Sequence, residues 1–147
     1  MDTPLRVLLN DKDRTLQTTS PKVSVYDCAV KLNQLKIGVL LVMENDQLAG
    51  IVSERDILRK VVTSGKDPKN ILVETIMTKA SELITVLPTT TVQEAMRLVT
   101  EKRVRHLPVL ENGQLVGLIS IGDLTRWAML LQEQQISSLT NYIQGER

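Results

Sequence analysis

Two pairs of serine and aspartate are the residues of this sequence whose types and spacing suit chemistry. Ser53 and Asp56 close the segment Gly-Ile-Val-Ser-Glu-Arg-Asp, and Ser120 and Asp123 close the segment Gly-Leu-Ile-Ser-Ile-Gly-Asp, 67 residues later. Each pair follows an apolar run and precedes a helical pattern, so each serine is expected at a helix N-terminus. Free N–H groups there favour anions, and a carboxylate three residues on accepts hydrogen bonds from vicinal hydroxyls. The pattern therefore predicts sites for a sugar phosphate, with ribose as the sugar.

A structural interpretation of the same pairs stands beside this one. Serine followed three residues later by an acid, ahead of an apolar run, is also typical of a helix N-cap. A cap needs little more than the serine, whereas the repeated Gly-apolar-apolar-Ser-x-x-Asp also specifies the strand before it. The repetition favours a binding role, and the two interpretations are compatible.

The composition argues against several classes of protein. The chain has 147 residues, 42% of them hydrophobic, with 18 basic against 17 acidic side chains, which indicates a soluble globular protein. A net charge of +1 and only 2% aromatic residues argue against nucleic acid as a partner. No stretch approaches the ~18 apolar residues of a membrane span, and the N-terminus does not resemble a signal peptide. We therefore expect a cytoplasmic or organellar-matrix protein without a membrane partner.

Cysteine and histidine occur once each, as Cys28 and His106. These counts argue against a disulfide framework and against a zinc site with the usual ligand spacing, so no metal is expected. They also argue against an enzyme, because no nucleophile with an adjacent base and orienting group is suggested. Cys28 occupies an apolar position of a helical pattern and is predicted to lie in the core.

An internal repeat organises the chain. A gap-free shift of 67 aligns residues 5–62 with residues 72–129, and 16 of the 58 aligned pairs are identical. Two copies are too few for a solenoid, so we expect two units that pack around a pseudo-two-fold axis. The predicted ranges are 1–65 for the first repeat with an N-terminal helix, 66–132 for the second repeat, and 133–147 for a helical extension.

The periodicity of each repeat predicts a mixture of helices and strands, hence the α+β class. In the first repeat we expect helices over residues 3–10, 24–35 and 54–62, with strands over 16–19, 39–43 and 48–52. In the second we expect helices over residues 71–77 and 91–102 and from 121 past 132, with strands over 84–86, 106–110 and 115–120. The turns Asn45-Asp46 and Asn112-Gly113 close the two hairpins.

Beyond the repeat, Ile136, Leu139 and Ile143 recur at helical spacing with Tyr142 alongside, and Gly145 is placed to end the helix. This apolar stripe has no counterpart in either repeat. It predicts docking on the chain's own module or on a second chain.

With its duplicated pattern and two Gly-x-x-Ser-x-x-Asp motifs, the sequence resembles a tandem cystathionine-β-synthase (CBS) domain pair, or Bateman module. The segment Arg105-His106-Leu107-Pro108-Val109 strengthens the resemblance, which covers nearly the whole chain. The resemblance implies two βαββα repeats and a stand-alone protein without a catalytic domain. It also implies regulatory binding of adenosyl ligands such as AMP, ADP, ATP, S-adenosylmethionine or NAD(H).

The resemblance further implies a signal-transduction role, in which the protein acts on a regulated protein or through its own oligomeric state. A homodimer through exposed helix faces is expected, with Arg97, Leu98, Trp127 and Leu131 as candidate contacts. The alternative is a ligand-free structural or dimerisation scaffold whose Ser-x-x-Asp motifs are only helix caps.

The ligand residues implied by the resemblance form two groups, each joining one motif to strands of the other repeat. The first group contains Ser53, Arg55, Asp56, Leu83, Ile84, Val104, Arg105, His106 and Pro108. The second group contains Ser120, Asp123, Leu16, Gln17, Ile37, Gly38 and Val39. Structural interpretations remain open for two of these residues, a strand-start histidine at His106 and a surface charge at Arg55.

The two groups differ where phosphate is expected. Gly38-Val39 occupy the positions of Arg105-His106, and Leu41 occupies that of Pro108. Because a guanidinium forks two hydrogen bonds to a phosphate, the first group is predicted to hold nucleotide phosphates more tightly than the second.

Overall fold

The computed structural model describes residues 2–11 and 16–144, which divide into two compact units. One unit contains Thr15–Ile84 and Asn112–Leu115, and the other contains Met1–Arg14, Thr85–Glu111 and Val116–Arg147. We call them the β1 unit and the α6 unit, after the β-strand Thr18–Thr19 (β1) and the long helix Ile121–Gln144 (α6). Neither unit is one continuous stretch of chain.

The β1 unit is built on a four-stranded sheet with the order β1-β2-β3-β4. Its other strands are Val39–Glu44 (β2), Gln47–Ser53 (β3) and Thr78–Lys79 (β4). β1 runs parallel to β2, and the other pairs are antiparallel. Asn45 and Asp46 connect β2 to β3 with φ of 52° and 61°, which suits the two-residue turn predicted for this hairpin.

Three short or medium helices cover this sheet, at Val25–Leu35 (α2), Glu54–Ile57 (α3) and Val73–Ile76 (α4). α2 begins after Ser24, whose side chain accepts a hydrogen bond from the N–H of Asp27, as expected of an N-cap. The buried cluster of this unit draws on α2, on α4 and on β2 and β3, with Cys28 only 1% exposed. The prediction that Cys28 belongs to the core is confirmed.

The α6 unit contains the hairpin His106–Glu111 (β5) and Gln114–Ser120 (β6). Its helices are Leu5–Asp11 (α1), Val92–Glu101 (α5) and α6. The buried residues come from all three helices and from both strands, among them Leu5, Val92, Leu107, Ile119 and Leu124, none more than 1% exposed. These elements place β5 and the start of α6, and with them Arg105, Ser120 and Asp123, on one rigid core.

The helix that precedes each repeat packs with the other repeat. In the α6 unit the N–H of Leu5 donates to the carbonyl of Thr90 at 2.8 Å. In the β1 unit the N–H of Val73 donates to the carbonyl of Val23 at 2.9 Å. Thr90 is 67 residues beyond Val23, but Val73 is 68 beyond Leu5, so the true offset of these helices is 68. The gap-free alignment, which equated Leu5 with Leu72, is therefore wrong by one residue before β1.

Several predicted elements differ from the structure. Residues 84–86 form no strand, and Val86 makes only an isolated parallel bridge to Val109, because Pro88 follows closely and shortens the pairing. The predicted helix 54–62 is α-helical only to Ile57 and continues as a π-helix over Leu58–Val62. The 16–19 strand is reduced to Thr18–Thr19. The helical extension is confirmed as the continuation of α6 to Gln144, whereas Gly145 lies outside the described residues.

The motif glycines lead to a stability prediction. A Cβ atom at Gly50 would collide with the backbone carbonyl oxygen of Thr78 in β4, whereas a Cβ at Gly117 would collide only with the side-chain end of Leu9. A leucine side chain rotates away more readily than a paired strand. We therefore expect Gly50→Ala to lower the free energy of unfolding by about 1.5 kcal/mol and Gly117→Ala by about 0.5 kcal/mol. Urea denaturation of both variants measures the difference, and equal losses would contradict it.

Candidate functional site

Both serine and aspartate pairs cap helices. The N–H of Asp56 donates to Ser53 Oγ at 3.1 Å, and the N–H of Ser53 donates to Asp56 Oδ2 at 2.9 Å. The equivalent distances are 3.1 Å from the N–H of Asp123 to Ser120 Oγ and 2.8 Å from the N–H of Ser120 to Asp123 Oδ2. Each pair forms a reciprocal capping box. The capping interpretation is therefore confirmed in both repeats, and a binding role must coexist with it.

The cap of Asp56 occupies mainly one carboxylate oxygen. Oδ2 accepts from the N–H of Ser53 and from its hydroxyl at 3.0 Å. Oδ1 lies 3.4 Å from the ammonium nitrogen of Lys60, whose side chain is 48% exposed while that of Asp56 is 18% exposed. A carboxylate offers about four lone-pair positions. Oδ1 therefore retains acceptor capacity for a ligand hydroxyl, and it gains more if the exposed Lys60 side chain moves.

The second aspartate has a similar charged neighbour. Asp123 Oδ1 lies 3.5 Å from a guanidinium nitrogen of Arg126, and the side chain of Asp123 is 11% exposed against 71% for Arg126. Sequence reasoning did not assign Lys60 or Arg126 as neighbours of the acids. Their spacing of four and three residues along a helix is the signal that would have found them.

Several members of the second predicted group meet within the β1 unit. Val39 begins β2 and is paired with Ser53 across the antiparallel ladder. The carbonyl of Gln17 accepts from the N–H of Leu41 in β2 at 3.1 Å, and Leu16 precedes Gln17 with partial exposure. Leu83 and Ile84, which belong to the first predicted group, lie in the same unit and are also partly exposed.

A groove of about 400 Å³ opens beside Gly38 in the β1 unit. It is lined by residues of α2, of α3 and of the segment between α2 and β2, namely Ala29, Leu32, Asn33, Lys36, Ile37, Gly38, Glu54 and Ile57. A Cβ atom at Gly38 would stand 3.3 Å from Glu54 Oε1. The absence of a side chain at Gly38 thus gives the Glu54 carboxylate room against the backbone.

In the α6 unit the basic pair stands beside the second motif. The carbonyl of Arg105 accepts from the N–H of Ile121 at 2.9 Å, directly after Ser120. The Arg105 side chain is exposed, His106 begins β5 with partial exposure, and Pro108 is buried. Val104 precedes Arg105 and is partly exposed.

The two repeats build this junction with the same backbone bond and opposite charge. In the β1 unit the N–H of Glu54 donates to the carbonyl of Gly38 at 2.9 Å, which is equivalent to the bond from Ile121 to Arg105. One junction therefore carries a carboxylate and no side chain at Gly38, whereas the other carries a guanidinium beside an isoleucine. Sequence reasoning identified the missing arginine but not Glu54, whose position immediately after Ser53 was the available signal.

Other polar groups were searched for reactive chemistry. Burial raises the pKa of the Cys28 thiol to about 11, with the charge of Asp56 adding a little and that of Lys31 opposing it. At neutral pH this thiol is therefore protonated and a weak nucleophile. Within residues 2–11 and 16–144, no three His, Cys, Asp or Glu side chains are grouped so as to hold a metal ion. None of the helices described there has the length and apolar content of a membrane span.

The two predicted ligand groups each draw on both compact units. Of the first group, Ser53, Arg55, Asp56, Leu83 and Ile84 belong to the β1 unit, and Val104, Arg105, His106 and Pro108 belong to the α6 unit. Of the second, Ser120 and Asp123 belong to the α6 unit and the rest to the β1 unit. Both groups stay predictions.

Comparison with known proteins agrees with the duplicated architecture. The chain is 41% identical over 125 residues to a CBS domain-containing mitochondrial protein, CBSX3, of Arabidopsis thaliana, covering 83% of this chain and 61% of that protein. A solved protein with CBS domains from Burkholderia ambifaria MC40-6 is 43% identical, with a TM-score of 0.81 and coverage of 87% and 95%. A hexameric CBS-CP12 protein from bloom-forming cyanobacteria is 30% identical, with a TM-score of 0.73 and coverage of 85% and 67%.

The chain spans less than two thirds of the Arabidopsis relative. The family model for the CBS domain matches residues 12–63 and 73–130, which is most of the sequence and both predicted repeats. The α+β fold, the duplicated motif and these matches point to the same conclusion. The chain belongs to the CBS domain family and contains two CBS domains in tandem.

Proposed function

We propose that this protein is a non-catalytic regulatory module that binds an adenosyl nucleotide. The observation that carries the proposal is the pair of aspartates held at helix N-termini, with Oδ1 of Asp56 directed away from the cap. Membership of the CBS family supports it, because CBS domains generally bind adenosyl ligands. The candidate ligands are AMP, ADP, ATP and NAD(H), and no metal is required.

In this proposal each predicted residue has a defined role. Asp56 and Asp123 accept hydrogen bonds from ribose hydroxyls, and Ser53 and Ser120 hold those carboxylates in place through the caps. Arg105 and His106 bind phosphate, and Arg55 adds positive charge at the start of α3. The remaining residues contact the base and sugar through apolar or backbone groups, namely Leu16, Gln17, Ile37, Gly38, Val39, Leu83, Ile84, Val104 and Pro108.

The charge at the two junctions favours the first group for phosphate. A nucleotide phosphate would be attracted by the exposed guanidinium of Arg105. Near Gly38 it would meet the carboxylate of Glu54 instead, and like charges in a partly buried groove repel. AMP should therefore bind first through Arg105.

The output of the module would be a regulated protein or a change in its own assembly. We propose a homodimer as the basic assembly, since the exposed apolar residues of α6 have no cover within the described chain and the related CBS-CP12 protein is hexameric. The site of action would be the cytoplasm or an organellar matrix, the latter because the Arabidopsis relative is mitochondrial.

The second candidate is a ligand-free scaffold, and the capping boxes favour it specifically. Both aspartates already have a structural role that explains their presence. In that case the motifs would stabilise helices and nothing more.

Ligand-dependent stability separates these functions. Thermal unfolding should be measured with AMP, ADP, ATP, NADH and, as a matched control, GMP. A ligand at 100 times its Kd adds about 2.7 kcal/mol to stability, which for a chain of this size raises Tm by about 5 to 10 °C. Native mass spectrometry of the purified protein would in addition report a copurified ligand. Unchanged melting with every adenine nucleotide would favour the scaffold.

A further inference from the structure

The second half of α6 extends beyond the packed part of its unit. Leu124, in the first turn, is 1% exposed, whereas every residue from 132 to 144 is exposed. An isolated helix of this length would be marginal in water. Here its first turns are anchored in the core, so the exposed turns are already nucleated and present a regular surface.

The exposed apolar residues of this segment recur at heptad spacing. Met129, Ile136 and Ile143 are seven residues apart, and Leu139 lies three residues after Ile136. Their exposed fractions are 55% for Met129, 61% for Ile136, 62% for Leu139 and 73% for Ile143. In coiled-coil notation the first three occupy a positions and Leu139 a d position. Isoleucine at a with leucine at d favours a parallel, two-stranded coiled coil.

The charge of the segment favours a second copy over a charged partner. From residue 127 to residue 144, Glu133 is the one charged side chain. A strongly charged helix would therefore find little to pair with here. Two copies of the segment would bring together apolar and neutral polar side chains, with almost no repulsion.

The remaining d position indicates the relative direction of the helices. Gln132 stands three residues after Met129 and three before Gln135, on the same seam as Leu139. In a parallel pair in register, two Gln132 amides face one another, and each has both donors and acceptors for the other. In an antiparallel pair the amide would instead face isoleucine or methionine, with its hydrogen bonds unmade.

We propose that residues 129–143 of two copies pair as a parallel, in-register, two-stranded coiled coil. The inference rests on the homodimer of the proposed function and assigns its surface. It does not depend on nucleotide binding. It places the two modules of the dimer on the same end of a short helical rod.

Substitutions on opposite faces of the helix test the surface. Ile136→Asp with Leu139→Asp puts two carboxylates per chain into the seam, whereas Gln134→Asp with Asn141→Asp puts the same charge on the outward f positions. Multi-angle light scattering of the full chain should give a dimer for the wild type and for the outward variant. The seam variant should be a monomer, with the dissociation constant raised at least about 100-fold. Circular dichroism and thermal melting check that both variants fold, as their exposure predicts.

A single cysteine tests the direction. Ile143→Cys should form an intermolecular disulfide in a glutathione redox buffer, because like a positions adjoin in a parallel pair within the reach of a disulfide. Cys28 is buried and serves as the unreacted background. A dimer that fails to cross-link would overturn the parallel arrangement, and a seam variant that stays dimeric would overturn the surface while leaving the homodimer. A monomeric wild type would overturn both.

Discussion

Asp56→Asn is expected to weaken AMP binding about 100-fold while leaving the protein folded. The cap dictates how the new amide must sit. To accept from the N–H of Ser53, as Asp56 Oδ2 does at 2.9 Å, the asparagine must turn its oxygen toward the cap. Its NH₂ group then replaces Oδ1, so a donor faces the ribose hydroxyls and the Lys60 ammonium. Loss of charge-assisted hydrogen bonds at about 1.5 to 3 kcal/mol each accounts for the expected factor.

Ser53→Ala is the matched control for this substitution. It removes the Oγ that accepts from the N–H of Asp56 but leaves the carboxylate charged. We expect a loss of about 1 kcal/mol in stability with AMP affinity changed by less than about threefold. Calorimetry for binding and urea denaturation for stability measure the two effects separately. If Asp56→Asn bound AMP normally and lost only stability, the motif would be a cap without a ligand role.

Local patterns predicted the hairpins of both repeats because their signals lie within a few residues. The turn Asn112-Gly113 has positive φ at both positions, as its sequence suggested. The start of α5 was similarly predictable, since the Thr91 side chain accepts from the N–H of Glu94. Family membership followed from the same short signals, repeated at a fixed interval and now supported by matches over both repeats.

The partners of α1 and α4 could not be predicted in the same way. A short amphipathic helix encodes only that one face is apolar, not which core will bury it. Leu5 and Val73 are each fully buried, one in the α6 unit and one in the β1 unit. The one-residue offset between them was hidden because an identity at Leu5 and Leu72 fitted the gap-free alignment by chance.

The electrostatic neighbours of the site were also beyond the sequence. Ser-x-x-Asp predicts either a cap or a ribose contact, and the structure contains the cap at both positions. Glu54 was unremarked because its side chain gains significance only where the chain folds back to Gly38. Such a contact joins residues far apart in sequence, so it has no periodic signal.

Arg105→Ala is expected to weaken AMP binding about 30-fold, whereas Glu54→Gln should leave it unchanged or slightly improve it. The exposed Arg105 guanidinium forks two charge-assisted hydrogen bonds to a phosphate, and their loss accounts for the factor. Glu54 occupies the equivalent junction of the other repeat with the opposite charge, so neutralising it removes a repulsion. Calorimetry should give one tight AMP site per chain for the wild type.

NADH provides a second measurement of the same asymmetry. Its adenosine half would use Asp56, its pyrophosphate Arg105, and its second ribose Asp123, so one dinucleotide would satisfy both acids. We therefore expect no tight AMP site once NADH is bound, and a loss of NADH affinity in Arg105→Ala similar to that for AMP. Arg97→Ala, which removes an arginine from α5, is the control for a general change of charge and should bind both ligands normally. Two equal AMP sites that are indifferent to Arg105→Ala would contradict the asymmetry and make the two motifs equivalent in function.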